Sequence, residues 1–280
     1  MQEYYFLFGM GILWSLFAVI QDLKTREVSN WLNFSLIGFG LVYRAFYSNF
    51  ISDWVFFVSG LLGFAVFFVL AHLFYYSRVF AGGDAKLLMG FSVILPYGDF
   101  SGLFEISIVF VFVLFLFGAI WSLLYSVSVV RRNWEKFREE FVSRITKGGI
   151  LFIPFMLFVI LSLIVFDFVF NIIFSVFIFL IYLLYYYVRA LDVCMIRNVN
   201  AQDLQEGDWL ERDVRLKGRV IKKSVHGLNI AEIKLLKKAG KRVLIKDGVP
   251  FTPAFFFALI FMGFFVLVLE VSVFSLVFLF

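Results

Sequence analysis

Runs of about twenty apolar residues recur along this chain, and nothing constrains its fold more. A helix rising 1.5 Å per residue needs roughly that length to cross a hydrocarbon core of about 30 Å. Eight such runs are readable: Tyr4 to Ile20, Leu32 to Tyr47, Trp54 to Tyr76, Val79 to Tyr97, Leu103 to Val127, Ile150 to Phe166, Phe168 to Val188 and Pro253 to Val273. The sixth and seventh are parted only between Asp167 and Asn171 and read as a tight helical hairpin, because together they are about twice a normal span. Composition agrees, since 62% of residues are hydrophobic, 42 are Phe and the mean hydropathy is +0.96, outside the range of a soluble domain. The expected fold is an all-α polytopic membrane protein with about eight transmembrane helices.

Orientation follows from the Lys/Arg bias of the short loops. With the N-terminus outside, Lys24, Arg26, Arg78, Lys86, Arg131, Arg132, Lys136, Arg138, Arg144 and Lys147 fall on the cytoplasmic side, while the outer loops hold Asp53, Asp99 and Asp167, with Arg44 as the one outlying cation. Glu3 in place of a basic cluster, and no small-x-small pattern at Gln21-Asp22-Leu23, make the first run a retained span rather than a removable signal. The expected organisation is a membrane domain over 1–188, a small cytoplasmic α+β domain over 189–250 and a final transmembrane helix within 251–280.

In the polar segment, the alternation of Trp209 to Ile221 around Lys217-Gly218 predicts a hairpin, and Val243 to Ile245 a further strand. Asn229 before I-A-E-I-K-L-L-K-K-A, closed by Gly240, predicts a capped amphipathic helix. The chain then returns to the membrane through G-V-P-F-T-P, Gly248 to Pro253, whose prolines set a rigid extended lead-in.

Two carboxylates stand out against this apolar background. An ionisable group at membrane depth is costly and marks a functional site by default. Asp22 ends the first run and opens D-L-K-T-R-E-V-S-N, and Asp84 lies in V-F-A-G-G-D-A-K-L-L, on the same deduced side. Each has a plainer reading: Asp22 as an interfacial residue paired with Lys24 or Arg26, and Asp84 as a helix cap. Together they suit a site, because two carboxylates within a few ångströms share one proton and act as general base and general acid on a water. Gly82 and Gly83 before Asp84 allow another backbone, such as an extended substrate strand, to approach closely.

These segments carry a family resemblance. Asp22 to Asn30 at the end of a first helix, then Gly82-Gly83-Asp84-Ala85-Lys86-Leu87-Leu88 after the third, resembles the prepilin and preflagellin peptidases, the G-x-G-D intramembrane aspartyl proteases; Gly248 to Pro253 resembles the archaeal branch in particular. The resemblance implies Asp22 and Asp84 as the catalytic pair, precursors with class III signal peptides as partners, and a cut at the cytoplasmic boundary after a short basic leader. Ala81 departs from the first glycine of G-x-G-D, keeping a small residue with less backbone freedom. The paired Cys motifs of the zinc-binding extension are missing, so neither a metal nor any other cofactor is expected.

Lys24 and Lys86 flank the pair, either tuning a carboxylate or positioning a loop, or serving as positive-inside anchors. His72 reads as a packing group in the third span, and His226 and Cys194 lack partners at metal-ligand spacing. Arg131 to Arg144 has the spacing of an amphipathic helix lying on the anionic inner leaflet. The segment from Arg189 to Pro250 holds 14 Lys/Arg against 8 Asp/Glu, which suits a lipid bilayer as partner and repels a basic leader; with no recognisable module, nucleic acid is not expected. The competing class is a transporter or assembly scaffold with Asp84 on a polar pathway, disfavoured because both carboxylates lie at one face rather than at mid-depth. A presenilin-like protease cutting within the hydrocarbon is disfavoured because no second Asp lies deep in a span.

Overall fold

The computed structural model describes residues 2–77, 79–98, 100–148, 156–157, 159–160, 168–216, 219–224 and 227–268. Most of the expected span Ile150 to Phe166, the residues Arg78, Asp99, Asp167, Lys217, Gly218 and His226, and the end of the last span lie outside the described residues. The helices are α1 (Gln2–Thr25), α2 (Asn30–Ile51), α3 (Val55–Tyr76), α4 (Gly82–Ser92), α5 (Phe100–Arg132), α6 (Trp134–Lys147), α7 (Phe168–Cys194), α8 (Ile230–Ala239) and α9 (Thr252–Gly263). The strands are β1 (Ile196–Asn200), β2 (Trp209–Leu210), β3 (Val214–Leu216), β4 (Arg219–Ile221) and β5 (Arg242–Lys246). The protein is mostly helical with a small strand-containing region, and among the described residues four helices are long and apolar enough to cross a membrane: Glu3–Thr25, Val55–Tyr76, Phe100–Arg132 and Asn171–Cys194.

The chain forms two compact units, Met1–Leu123 with Pro250–Phe280, and Leu124–Val249. In the first, α4 packs between α2 and α3, and α9 lies along α1. Their shared core runs from Leu7 and Phe8 through Leu36, Phe67, Leu88 and Phe91 to Phe110, Phe255 and Leu259.

The run expected from Val79 to Tyr97 is helical only over eleven residues, Gly82 to Ser92, too short to cross a bilayer. Pro96 supplies the reason: it lacks an N–H and pushes Leu95 out of the helical region. The irregular stretch that follows is nonetheless buried, with Val93, Ile94, Leu95 and Tyr97 fully covered. Irregular backbone at such depth is tolerated where protein groups satisfy it. Arg44 does so. It belongs not to an outer loop, as its charge suggests, but to the middle of α2, fully buried, where its guanidinium donates to the carbonyls of Val93 (2.6 Å), Leu95 and Phe56 (2.8 Å). The Tyr4 hydroxyl donates to the Tyr97 carbonyl at 2.7 Å. Gly60 is bare against this group, since a Cβ there would stand 2.3 Å from Arg44 Cδ.

In the second unit, α6 packs on α7 through Phe137, Phe141 and Tyr187, with Val130, Ala190, Leu191 and Cys194 beneath. Strand β1 follows α7 almost directly and pairs antiparallel with β5, which pairs on its other edge with β2. Strands β3 and β4 form a separate antiparallel pair. The single hairpin expected over Trp209 to Ile221 is thus divided: Trp209-Leu210 joins β5, and Glu211 N–H continues that pairing to the Leu244 carbonyl. The chain then bends, and Asp213 Oδ1 accepts from Lys223 N–H at 2.7 Å to close the β3–β4 pair. The expected α8 is present with a complete capping box between Asn229 and Glu232 and a left-handed Gly240 at φ 59°.

Candidate active site

Asp22 occupies the last turn of α1, and the local sequence stops that helix directly after it. Thr25 turns its hydroxyl back onto the Gln21 carbonyl at 2.9 Å, and Arg26 takes a left-handed φ of 61° while its N–H bonds the Asp22 carbonyl at 2.9 Å. The chain then reverses, and Ser29 N–H donates to the Gln21 side chain at 3.0 Å before α2 begins at Asn30. Asp22 is consequently fixed where α1 meets the α1–α2 connection.

Asp84 is the third residue of α4. Ala81 precedes the helix in an extended conformation, φ −71° and ψ 164°, which places Asp84 at the third helical position, in the first turn. Because that φ is negative, alanine occupies the first motif position without backbone strain. Phe80, wedged among Phe74, Phe115, Phe251 and Phe255, anchors the turn leading into the helix.

The first turn of α4 rests on the α1–α2 connection. Gly83 lies beside Val28, and Lys86 Nζ donates to Asn30 Oδ1 at 2.6 Å. This docking brings Asp84 within electrostatic reach of Asp22. Asp84 is half-buried, while Asp22 is 8% exposed. Of the flanking residues, Lys86 serves to tie α4 to α2, whereas Lys24 is exposed in the last turn of α1 and among the described residues pairs with neither carboxylate. Gly82 and Gly83 are not demanded by packing: a Cβ on either would meet its nearest neighbour at an ordinary 3.7 Å.

A third element enters from the far end of the chain. Thr252, fully buried at the start of α9, donates to Asp22 Oδ2 through its hydroxyl at 2.8 Å and its backbone N–H at 3.3 Å. In the sequence Thr252 is marked only as part of a Thr-Pro pair opening a helix, which signals a helix start but not its partner. His72 bonds the Phe68 carbonyl one turn back and lies tilted against the Phe68 ring, as a packing group does. No cluster of three His, Cys, Asp or Glu side chains suited to a metal occurs among the described residues.

The unit is helical and of membrane-spanning type, and it carries two carboxylates on separate helices within each other's electrostatic reach. Residues 9–123, which contain both, match the model of the type IV leader peptidase family. Among curated proteins, the preflagellin peptidase of Methanocaldococcus jannaschii is 35% identical over 89 residues, covering 32% of this chain and 38% of that protein. The preflagellin peptidase of Methanococcus voltae is 29% identical over 89 residues with the same shares, and that of Methanococcus maripaludis 28% over 87 residues, covering 31% and 37%. The resemblance to prepilin and preflagellin peptidases carried by the two motifs is borne out, and the aligned segment spans under two fifths of these relatives' length.

Proposed function

We propose that the chain is an intramembrane aspartyl endopeptidase that removes the short basic leader of prepilin-like or preflagellin-like precursors at the cytoplasmic membrane boundary. The observation that supports this reading is the docking of the first turn of α4, which holds Asp84, on the α1–α2 connection beside Asp22, through Gly83 against Val28 and Lys86 on Asn30. Two carboxylates in each other's field hold one proton between them. The ionised member takes a proton from the attacking water as its oxygen bonds to the scissile carbonyl carbon. The protonated member donates to the carbonyl oxygen, and as the C–N bond breaks a proton passes to the leaving amine. The products are a leader ending in a new carboxylate and a mature protein with a free N-terminal amine.

The glycines fit this chemistry, since Gly82 and Gly83 leave bare backbone beside Asp84 that the fold itself does not use. Placement at the cytoplasmic boundary rests on the charge bias of the loops, with the N-terminus outside, about eight crossings and the 189–250 domain on the inner side. Lys24 and Lys86 act there as positive-inside anchors, Lys86 also through Asn30.

The test is co-expression with a class III precursor, following leader removal by mobility shift. Asp22→Asn and Asp84→Asn each leave the precursor uncut at wild-type enzyme levels. Cleavage persisting in either variant ends the assignment.

A further inference from the structure

Asp22 has two carboxylate oxygens, and the fold treats them differently. Oδ2 accepts from both the hydroxyl and the backbone N–H of Thr252, 230 residues away in sequence, while Oδ1 accepts no hydrogen bond from the described residues. A carboxylate oxygen has two lone pairs, so two donors fill Oδ2. We infer that Thr252 is a positioning residue: it locks the Asp22 carboxylate in one orientation and leaves Oδ1 as the oxygen that exchanges a proton with the attacking water. The inference rests on the proposed reading of Asp22 and Asp84 as the reacting pair.

The construction of the α9 start supports it. The first N–H groups of a helix lack partners within it. At α9 the next position is Pro253, which has no N–H, so the free donor of Thr252 is directed at Asp22. The segment is held from behind as well: Trp121 Nε1 donates to the Pro250 carbonyl at 2.8 Å, and Phe251 packs on Phe80, Phe255 and the bare face of Gly118. Thr252 therefore reaches Asp22 from a fixed platform, the condition for orienting a reacting group. It also lies outside the segment matched by the family model.

The experiment measures kcat and KM for a purified class III precursor with the full-length enzyme in detergent, for wild type, Thr252→Val, Thr252→Ser and Asp22→Asn. Valine keeps the shape of threonine and removes its hydroxyl donor; serine keeps the donor and removes the methyl. The expected result is a kcat lowered on the order of tenfold to a hundredfold in Thr252→Val with KM unchanged, and recovery to within about threefold of wild type in Thr252→Ser, because misplacing a reacting group costs rate rather than binding. Should the valine variant not accumulate, Thr252→Ala removes the same donor and is held to the same expectation. An unchanged kcat in the valine or alanine variant overturns the inference while an inactive Asp22→Asn leaves the reading of the pair standing. Equal losses in valine and serine, or a loss that tracks a fall in melting temperature, also overturn it by assigning Thr252 to packing. Activity retained in Asp22→Asn removes the reading and the inference together.

Discussion

At the scale of single residues, the glycines before Asp84 separate folding from function. Neither has a positive φ and neither is crowded, so Gly83→Ala relieves a helix of glycine at no steric cost and raises stability by about 0.5–1 kcal/mol. If the bare backbone receives the substrate strand, the same variant loses cleavage by about tenfold or more, since a methyl group stands where a second backbone must approach. Melting temperature and leader removal on one preparation check both halves. Ala81→Gly is the converse: Ala81 sits at φ −71°, which alanine adopts freely, so restoring the usual glycine leaves cleavage within about twofold. The proposed pair, Asp22 and Asp84, stands out in the sequence because a carboxylate among apolar residues is expensive. Thr252 does not, because a threonine before a proline is ordinary at a helix start and its partner is 230 positions away.

At the scale of elements, α4 and the stretch after it show where a hydropathy reading fails. An apolar run measures burial rather than backbone conformation, so Val79 to Tyr97 looked like one more span although Pro96 ends helix formation within it. Arg44 departs from expectation for the matching reason: its charge suggests a loop, whereas its guanidinium donates to carbonyls that the broken helix leaves unpaired. Arg44→Leu strands those buried carbonyls and removes about 3 kcal/mol or more, measured as the loss of melting temperature in detergent. Arg44→Lys recovers only part of this, because one ammonium cannot reproduce a planar fork of donors. In the strand-containing region, burial pushes the Asp208 carboxyl up from the ordinary carboxylate range, against the Gln205 N–H that favours its charged form. The folded state then holds that proton more tightly than the unfolded chain. The contribution is full below the ordinary value and is lost as pH rises through the raised one, so stability falls over that window and Asp208→Asn flattens the dependence in a pH series of melting curves.

At the scale of the whole molecule, the connections of the first three helices decide which face the carboxylates share. Helices α1 and α3, of 24 and 22 residues and about 36 and 33 Å long, are long and apolar enough to cross the hydrocarbon, and α2, of 22 residues, matches them in length. The α1–α2 connection meets the first turn of α4 through Gly83 against Val28 and Lys86 on Asn30, so both motifs stand at one end, and the α2–α3 connection around Asp53 stands at the other. Sequence periodicity could not supply that meeting, which depends on three-dimensional docking; it supplied only the charge bias that names the ends. The proposed orientation makes the carboxylate end cytoplasmic, where a leader preceding a membrane helix is presented. Cysteine labelling tests it. Cys194, the only cysteine, is buried, and Cys194→Ser clears the background. In intact cells an impermeant maleimide should label Asp53→Cys, exposed between α2 and α3, and leave Lys24→Cys unlabelled until the membrane is opened. The reverse pattern would put Asp22 and Asp84 on the outer face, away from any cytoplasmic leader, and would sink the proposed function along with the topology.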